Sequence, residues 1–202
     1  MTNIIVLEGV DGCGKTTLAT SLEVILNENG YTCQIIREPD TYFKQIIEKP
    51  KESKLTNLFL FLANRCETVD RIKRLQNESE LDFIILDRFF ISTLVYQSIE
   101  TGLSVENLSN LISFTLQGVR VDFFYYLNNT EEQIIQNLKD KNEFTPEDTF
   151  KTKALKTIYH LVNKFYLRNE NITYLYDPQN TFAYQVIEDL RLNGFAFKNP
   201  NL

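Results

Sequence analysis

The stretch "IIVLEGVDGCGKTT", residues 4–17, limits the fold more than any other part of the chain. A short β-branched run ends at Gly9, and G-x-x-x-x-G-K-[ST] is then matched in full by Gly9, Gly14, Lys15 and Thr16. A strand, a glycine turn and a helix start in that order let the backbone N–H groups of the turn converge on one point. The glycines permit the tight path, and the helix N-terminus adds unpaired donors and a favourable dipole. A loop of this kind grips phosphate: Lys15 is placed to reach the β- and γ-phosphates of a nucleotide and Thr16 to bind Mg²⁺.

The rest of the chain repeats the same alternation. Apolar runs at 3–7, 33–38, 82–87, 121–127 and 171–177 read as strands. Helical patterns separate them, at 15–28 with Leu18, Leu22 and Ile25 on one face, then about 53–77, 104–117, 130–139, 149–168 and 181–193. Alternation implies an α/β chain, a five-stranded mostly parallel sheet flanked by helices on both faces. At 202 residues with 43% hydrophobic content, a single domain spanning 1–202 is expected. The polar stretch "KDKNEFTPED" at 139–148 interrupts the pattern and reads either as surface loop or as a lid, about 139–150, over the site. The net charge of −6 disfavours nonspecific nucleic-acid binding but leaves room for a local basic pocket. No 18-residue apolar run suggests a membrane span and no leader is evident. The three cysteines form no disulfide or zinc pattern, so a cytoplasmic setting is expected.

Asp87 closes the apolar run "FIILD", where a second acidic group near Mg²⁺ belongs. With the glycine loop it points to a nucleoside triphosphatase or a kinase. A guanine-reading N-K-x-D is missing, since "NKFY" at 163–166 lacks the aspartate. Arg37 and Arg88 each follow a strand run directly, where ligands of open α/β sheets bind. Two arginines there suit an anion through paired contacts, the plain alternative being surface arginines. In the helix at 53–77, Leu55, Leu58, Leu62, Cys66 and Val69 share a face, and Arg65 lies within that stripe. A charge there needs a partner or a polar pocket. Phe61 is one turn earlier, and a ring beside a donor suits a nucleobase; a core phenylalanine with a salt-bridged arginine is the bland reading.

"EGVDGCGKTT", "REP" at 37–39, "LFLANR" at 60–65, "DRFFISTLVYQ" at 87–97 and "YDPQNTFAYQVIEDL" at 176–190, in that order, resemble the thymidylate kinase family. The resemblance covers most of the chain. It implies the three-layer P-loop nucleoside monophosphate kinase fold, ATP-dependent phosphorylation of dTMP to dTDP with Mg²⁺, and a homodimer. ATP and its phosphates would be held by Gly9, Gly12, Gly14, Lys15, Thr16, Thr17 and Gln179, and the metal by Thr16 and Asp87. Asp11 would act near the acceptor phosphate, which Arg37 and Arg88 would hold. Phe61 would stack on thymine, Arg65 would bond to its O4, and Thr93 and Gln97 would line the nucleoside pocket. Tyr96 would pack at C2′ and exclude a 2′-hydroxyl.

The chain departs from the family pattern in identifiable places. The family supplies an extra arginine to the ATP phosphates, either inside the glycine loop or in the lid. Gly12 stands at the loop position, and "LKDKNEFTPEDTFK" contains no arginine. Lys139 or Lys141 is therefore expected to take that role, with Arg120 or Arg168 as the alternatives. Lysine lacks the planar fork that touches two oxygens at once. Asp40 replaces the glycine that usually follows "REP", Asn64 replaces an acid beside Arg65, and Thr68 stands where many bacterial members carry histidine. These departures keep open a broader acceptor range including dUMP and its analogues. A deoxynucleoside kinase using Glu8 or Glu38 as base, and a non-catalytic nucleotide-binding protein, are the more distant alternatives.

Overall fold

A computed structural model describes residues 2–78, 80–145, 148–166, 172–176 and 181–198. The strands are β1 (Asn3–Glu8), β2 (Cys33–Arg37), β3 (Phe83–Asp87), β4 (Phe123–Leu127) and β5 (Ile172–Leu175). The helices are α1 (Lys15–Glu28), α2 (Thr41–Ile47), α3 (Lys54–Glu78), α4 (Phe90–Thr101), α5 (Val105–Leu116), α6 (Glu131–Asp140), α7 (Asp148–Tyr166) and α8 (Phe182–Leu192). The strands form one sheet in the order β2-β3-β1-β4-β5. Every pairing is parallel, so the sheet is more uniform than the mostly parallel one expected.

The central strands owe their composition to burial on both faces. In β3 every residue of "FIILD" is buried, and in β1 all but the first. Such strands read as continuous apolar runs rather than alternating ones. The chain leaves β1, builds β2 and β3 on one side, then crosses to β4 on the other. A crevice opens at the carboxyl ends where that reversal occurs. The glycine loop follows β1, Arg37 and Glu38 close β2, and Asp87 and Arg88 close β3. The topology thus collects residues far apart in sequence at one edge.

Two helices have no counterpart in the sequence-derived pattern. α4 is buried almost all round, at Ile91, Ser92, Thr93, Leu94, Val95 and Gln97, so it carries no one-sided stripe. Its first residue follows Phe89, whose side chain makes no cap. The cap comes instead from Glu8, whose Oε1 accepts the N–H groups of Phe89 at 2.9 Å and Ser92 at 3.1 Å. No local signal announces a helix stabilised this way. α2 is seven residues with none buried, too short for periodicity, and starts on Asp40, which accepts the Phe43 N–H at 2.9 Å. In α3 the inward stripe runs through Leu58, Leu62, Arg65, Val69 and Ile72, while Leu55 is 45% exposed and lies outside it.

Candidate active site

The glycine loop wraps around its own lysine. Lys15, 5% exposed, donates from Nζ to the carbonyls of Gly9 at 2.9 Å and Val10 at 2.8 Å. Gly14 at φ +101° opens α1, so the helix N-terminus faces the loop's mouth. Two amides from the β4–α6 side hold the loop from outside: Asn129 Nδ2 donates to the Cys13 carbonyl and Asn137 Nδ2 to that of Gly12. Neither was singled out in the sequence, since an asparagine in a loop and one in a helix carry no pattern of their own.

Position 12 is closed to any side chain. A Cβ there would lie 2.8 Å from Leu138 Cγ and 2.9 Å from the Ile134 carbonyl oxygen, at φ +79°. Because α6 packs directly on this glycine, the loop has no space for an arginine of its own. The departure seen in the sequence is therefore a packing constraint.

Beside the loop, the Thr16 hydroxyl donates to Asp87 Oδ2 at 2.6 Å, and Arg37 Nε lies 3.8 Å from the same oxygen. A hydroxyl and a carboxylate are hard oxygen donors of the kind Mg²⁺ takes. Among the described residues no group of three or more His, Cys, Asp or Glu could hold a metal alone. Two protein oxygens beside a phosphate loop suit a cation whose other ligands come from phosphates and water.

Arg88 sits at φ +73°, in the left-handed region that side chains rarely adopt. That turn directs its guanidinium back across the end of the sheet. Its Nη2 pairs with Asp11 and its Nη1 donates to Ser92 Oγ at 2.9 Å. Tyr96 donates to Asp11 Oδ2 at 2.7 Å. Crowding by the loop raises the Asp11 carboxyl, but Arg88, Lys15, the Tyr96 hydroxyl and Lys151 outweigh it and bring it down to about 2. Beneath this cluster Ser92 Oγ donates to Glu8 Oε2 at 2.5 Å, and Tyr159 Oη lies 2.9 Å from Ser92 Oγ and 3.2 Å from the Gly9 carbonyl. Glu8 and Tyr159 thus tie β1, α4 and α7 together under the site. In the sequence Glu8 stood out only as a possible base for a hydroxyl acceptor, although it ends an apolar strand just as Asp87 does.

A cavity of about 1050 Å³ runs over the loop, lined among others by Gly12, Gly14, Lys15, Thr16, Arg37, Asp87 and Arg88. A smaller pocket of about 220 Å³ adjoins it and shares Asp11, Glu38, Pro39 and Arg88 as walls. Its other walls include Phe61, Arg65, Thr93, Tyr96 and Gln97. The sequence-derived acceptor residues therefore converge, except that Arg37 faces the larger cavity.

The floor of the small pocket is polar and buried. Arg65 Nη2 is 2.5 Å from Glu38 Oε2 and 3.2 Å from Thr93 Oγ1, and the guanidinium lies over the Phe89 ring at 4.3 Å. Burial pushes the Glu38 carboxyl up to about 7 against the pull of Arg65, and it lowers the Arg65 guanidinium against the pull of Glu38. Glu38 Oε1, Arg65 Nε and Nη1, and Gln97 Oε1 are buried without a hydrogen-bond partner. Gln97 Nε2 donates to Glu100 Oε2 at 3.0 Å, which leaves the amide carbonyl as the free end. Unpaired buried donors and acceptors are costly unless a ligand meets them.

The substitutions at 40 and 64 are coupled. The Asp40 N–H donates to Asn64 Oδ1 at 2.9 Å while its carboxylate caps α2, and Asn64 Nδ2 donates to Thr68 Oγ1 at 3.2 Å. Asp40's charge is thereby committed to a helix terminus, and three departures from the family pattern form one hydrogen-bonded chain.

Of the lysines expected to replace the arginine, Lys139 lies over the Phe144 ring at 5.1 Å and is not among the walls of the large cavity. Lys141 lines it, together with a side pocket of about 220 Å³ formed by Gly12, Gly14, Thr17, Phe182 and Ala183. Arg120 is exposed and lines neither. Gln179 and Arg168 fall outside the described residues.

A family model described as thymidylate kinase matches residues 7–184. The chain is similar to the thymidylate kinase of Chlorobaculum parvum (strain DSM 263 / NCIMB 8327), 33% identical over 172 residues, or 82% of this chain and 78% of the relative. It is likewise similar to that of Prochlorococcus marinus (strain MIT 9301), 31% identical over 212 residues, or 95% and 96% of the two chains.

Proposed function

This chain belongs to the thymidylate kinase family, and from that premise we propose how its residues transfer a phosphoryl group from ATP to dTMP. The activity is ATP-dependent conversion of dTMP to dTDP. The observation that carries the residue assignment is the pair of adjoining pockets sharing Asp11 and Arg88 as walls. One contains the phosphate loop, and the other has free donors on Arg65 and a free acceptor on Gln97. Thymine presents the complement, an acceptor at O4 and a donor at N3. Arg65 meets O4, the Gln97 carbonyl accepts the N3–H, and Phe61 stacks on the ring. Thr93 completes the pocket and holds Arg65 in place. Tyr96, held by Asp11, stands beside the sugar and leaves no room for a 2′-hydroxyl.

Family members are nucleotide kinases acting with a divalent cation, and Mg²⁺ is proposed for this chain. Thr16 and Asp87 would hold it, and it would screen the charge of the ATP phosphates. Gly9, Gly12, Gly14, Lys15 and Thr16 cradle those phosphates through backbone N–H groups and the Lys15 ammonium. Thr17 and Gln179 are assigned to the ATP site by resemblance. Arg37 and Arg88 bind the dTMP phosphate, and Asp11 fixes Arg88. An acceptor phosphate oxygen is already nucleophilic, so the enzyme's work is to bring two anions into line and spread the developing charge. Glu8 and Glu38 are committed to capping α4 and pairing Arg65, which disfavours a base for a sugar hydroxyl.

A homodimer is proposed for the assembly, with exposed Leu55 and Phe59 of α3, Ile99 of α4 and Phe114 of α5 as apolar surface available to it. Sedimentation equilibrium tests it. With Cys13, Cys33 and Cys66 all free, a reducing cytoplasm is the proposed setting. No described helix is long and apolar enough to cross a membrane.

The pocket assignment is tested by comparing dTMP with dCMP, whose C4 amino group puts a donor where thymine has an acceptor. Wild type is expected to prefer dTMP in kcat/KM, and Arg65→Ala to lose at least about tenfold of that preference. An unchanged preference in Arg65→Ala removes Arg65 as the base reader.

A further inference from the structure

The structure assigns Lys151, on the first turn of α7, as the cation that meets the transferring phosphoryl group; this rests on the thymidylate kinase reading above. Two neighbouring sources are closed. Position 12 admits no side chain, and Lys139 is turned onto the Phe144 ring. Lys141 lies in a turn and faces the side pocket beside Gly12 and Thr17 as well as the main cavity.

Lys151 differs from both in how it is held. Residues 151, 155, 159 and 162 share one helix face, and Leu155, Tyr159 and Val162 are all buried. Tyr159 fastens that face to the Gly9 carbonyl and to Ser92, directly beneath the glycine loop. Lys151 continues the same stripe one turn further towards the N-terminus, where the stripe leaves the core and becomes a wall of the large cavity with Thr152 and Leu155. It makes no hydrogen bond or ion pair among the described residues. The nearby Asp148 carboxylate is engaged by the N–H and hydroxyl of Thr145. The Lys151 charge reaches Asp11, at the boundary between the loop and the acceptor pocket.

That boundary is where the phosphoryl group passes. The bond between Pγ and the β,γ-bridging oxygen breaks, ADP departs with the electron pair, and a dTMP phosphate oxygen bonds to Pγ. Lys151 takes no part in the bond exchange and stabilises the equatorial oxygens of the group in flight. It supplies one point charge where an arginine would supply a fork.

The test uses the full chain and ADP release with dTMP as acceptor, for wild type, Lys151→Ala, Lys151→Met, Lys151→Arg and Lys141→Ala, with thermal unfolding as a fold control. Lys151→Ala and Lys151→Met should lower kcat at least about tenfold with KM for dTMP held within about threefold, and Lys151→Arg should restore most of kcat. The loss in Lys141→Ala should be smaller than in Lys151→Ala. The inference is overturned if Lys151→Ala keeps kcat within about threefold of wild type, or if Lys141→Ala has the larger effect. An inactive wild type overturns the underlying activity as well, so the two failures are read separately in one assay.

Discussion

Replacing Gly12 with alanine probes the packing that keeps an arginine out of the glycine loop. Alanine at φ +79° pays for left-handed backbone, roughly 1–2 kcal/mol. Its Cβ also meets Leu138 Cγ at 2.8 Å and the Ile134 carbonyl at 2.9 Å. The second contact is backbone in a regular helix, so α6 itself must shift, an overpacking cost of roughly 1–3 kcal/mol more. Gly102 is the internal control, since it has φ +72° and nothing lies within 4 Å of the place its Cβ would take. Gly102→Ala should therefore show only the backbone part. Urea unfolding followed by circular dichroism, with comparable slopes for the variants, gives both values. Gly12→Ala is expected to cost about 1–3 kcal/mol more than Gly102→Ala. Equal costs would mean that α6 yields freely, and the packing explanation for the arginine-free loop would be wrong.

Three other substitutions probe the network under the site. Glu38→Ala leaves the Arg65 guanidinium buried without its partner and should cost about 3–5 kcal/mol in urea unfolding; a loss below about 1 kcal/mol would show that Arg65 finds another partner. Ser92→Ala removes the hydroxyl shared by Glu8, Arg88 and Tyr159 and should cost about 1–3 kcal/mol, with no change contradicting a continuous network. The Asp11 carboxyl is held at about 2, below its ordinary 3.8, so its stabilising contribution is full above 3.8 and lost as pH falls through about 2. The stability gap between wild type and Asp11→Asn should accordingly shrink on acidification over that range, and a gap independent of pH would refute the Arg88–Asp11 coupling.

Much of the architecture was legible because it rests on local pattern. The strand–glycine–lysine sequence at 4–17, the buried runs of β1 and β3 and the acid closing β3 each carry their meaning within a few residues. The same held for Phe61 and Arg65, whose spacing on one helix brings them into one pocket. α4 was hidden because its cap is Glu8, far away in sequence, and because full burial erases any one-sided stripe. The role of Asp40 was hidden too, since a carboxylate near an anion site looks unfavourable until its bond to the α2 terminus is seen. Lys151 reads as one surface lysine among several in "FKTKALK". The fastening of α7 by Tyr159 and its place on the cavity wall distinguish it from Lys139, which is turned onto a ring.

The central claim is that the two adjoining pockets accept dTMP and ATP together. Steady-state turnover with ATP and Mg²⁺ across dTMP, dUMP, dCMP, dGMP and thymidine tests it most directly. The account predicts the highest kcat/KM for dTMP, with dTDP as product and thymidine not consumed. A higher kcat/KM for any other acceptor on that panel would contradict it.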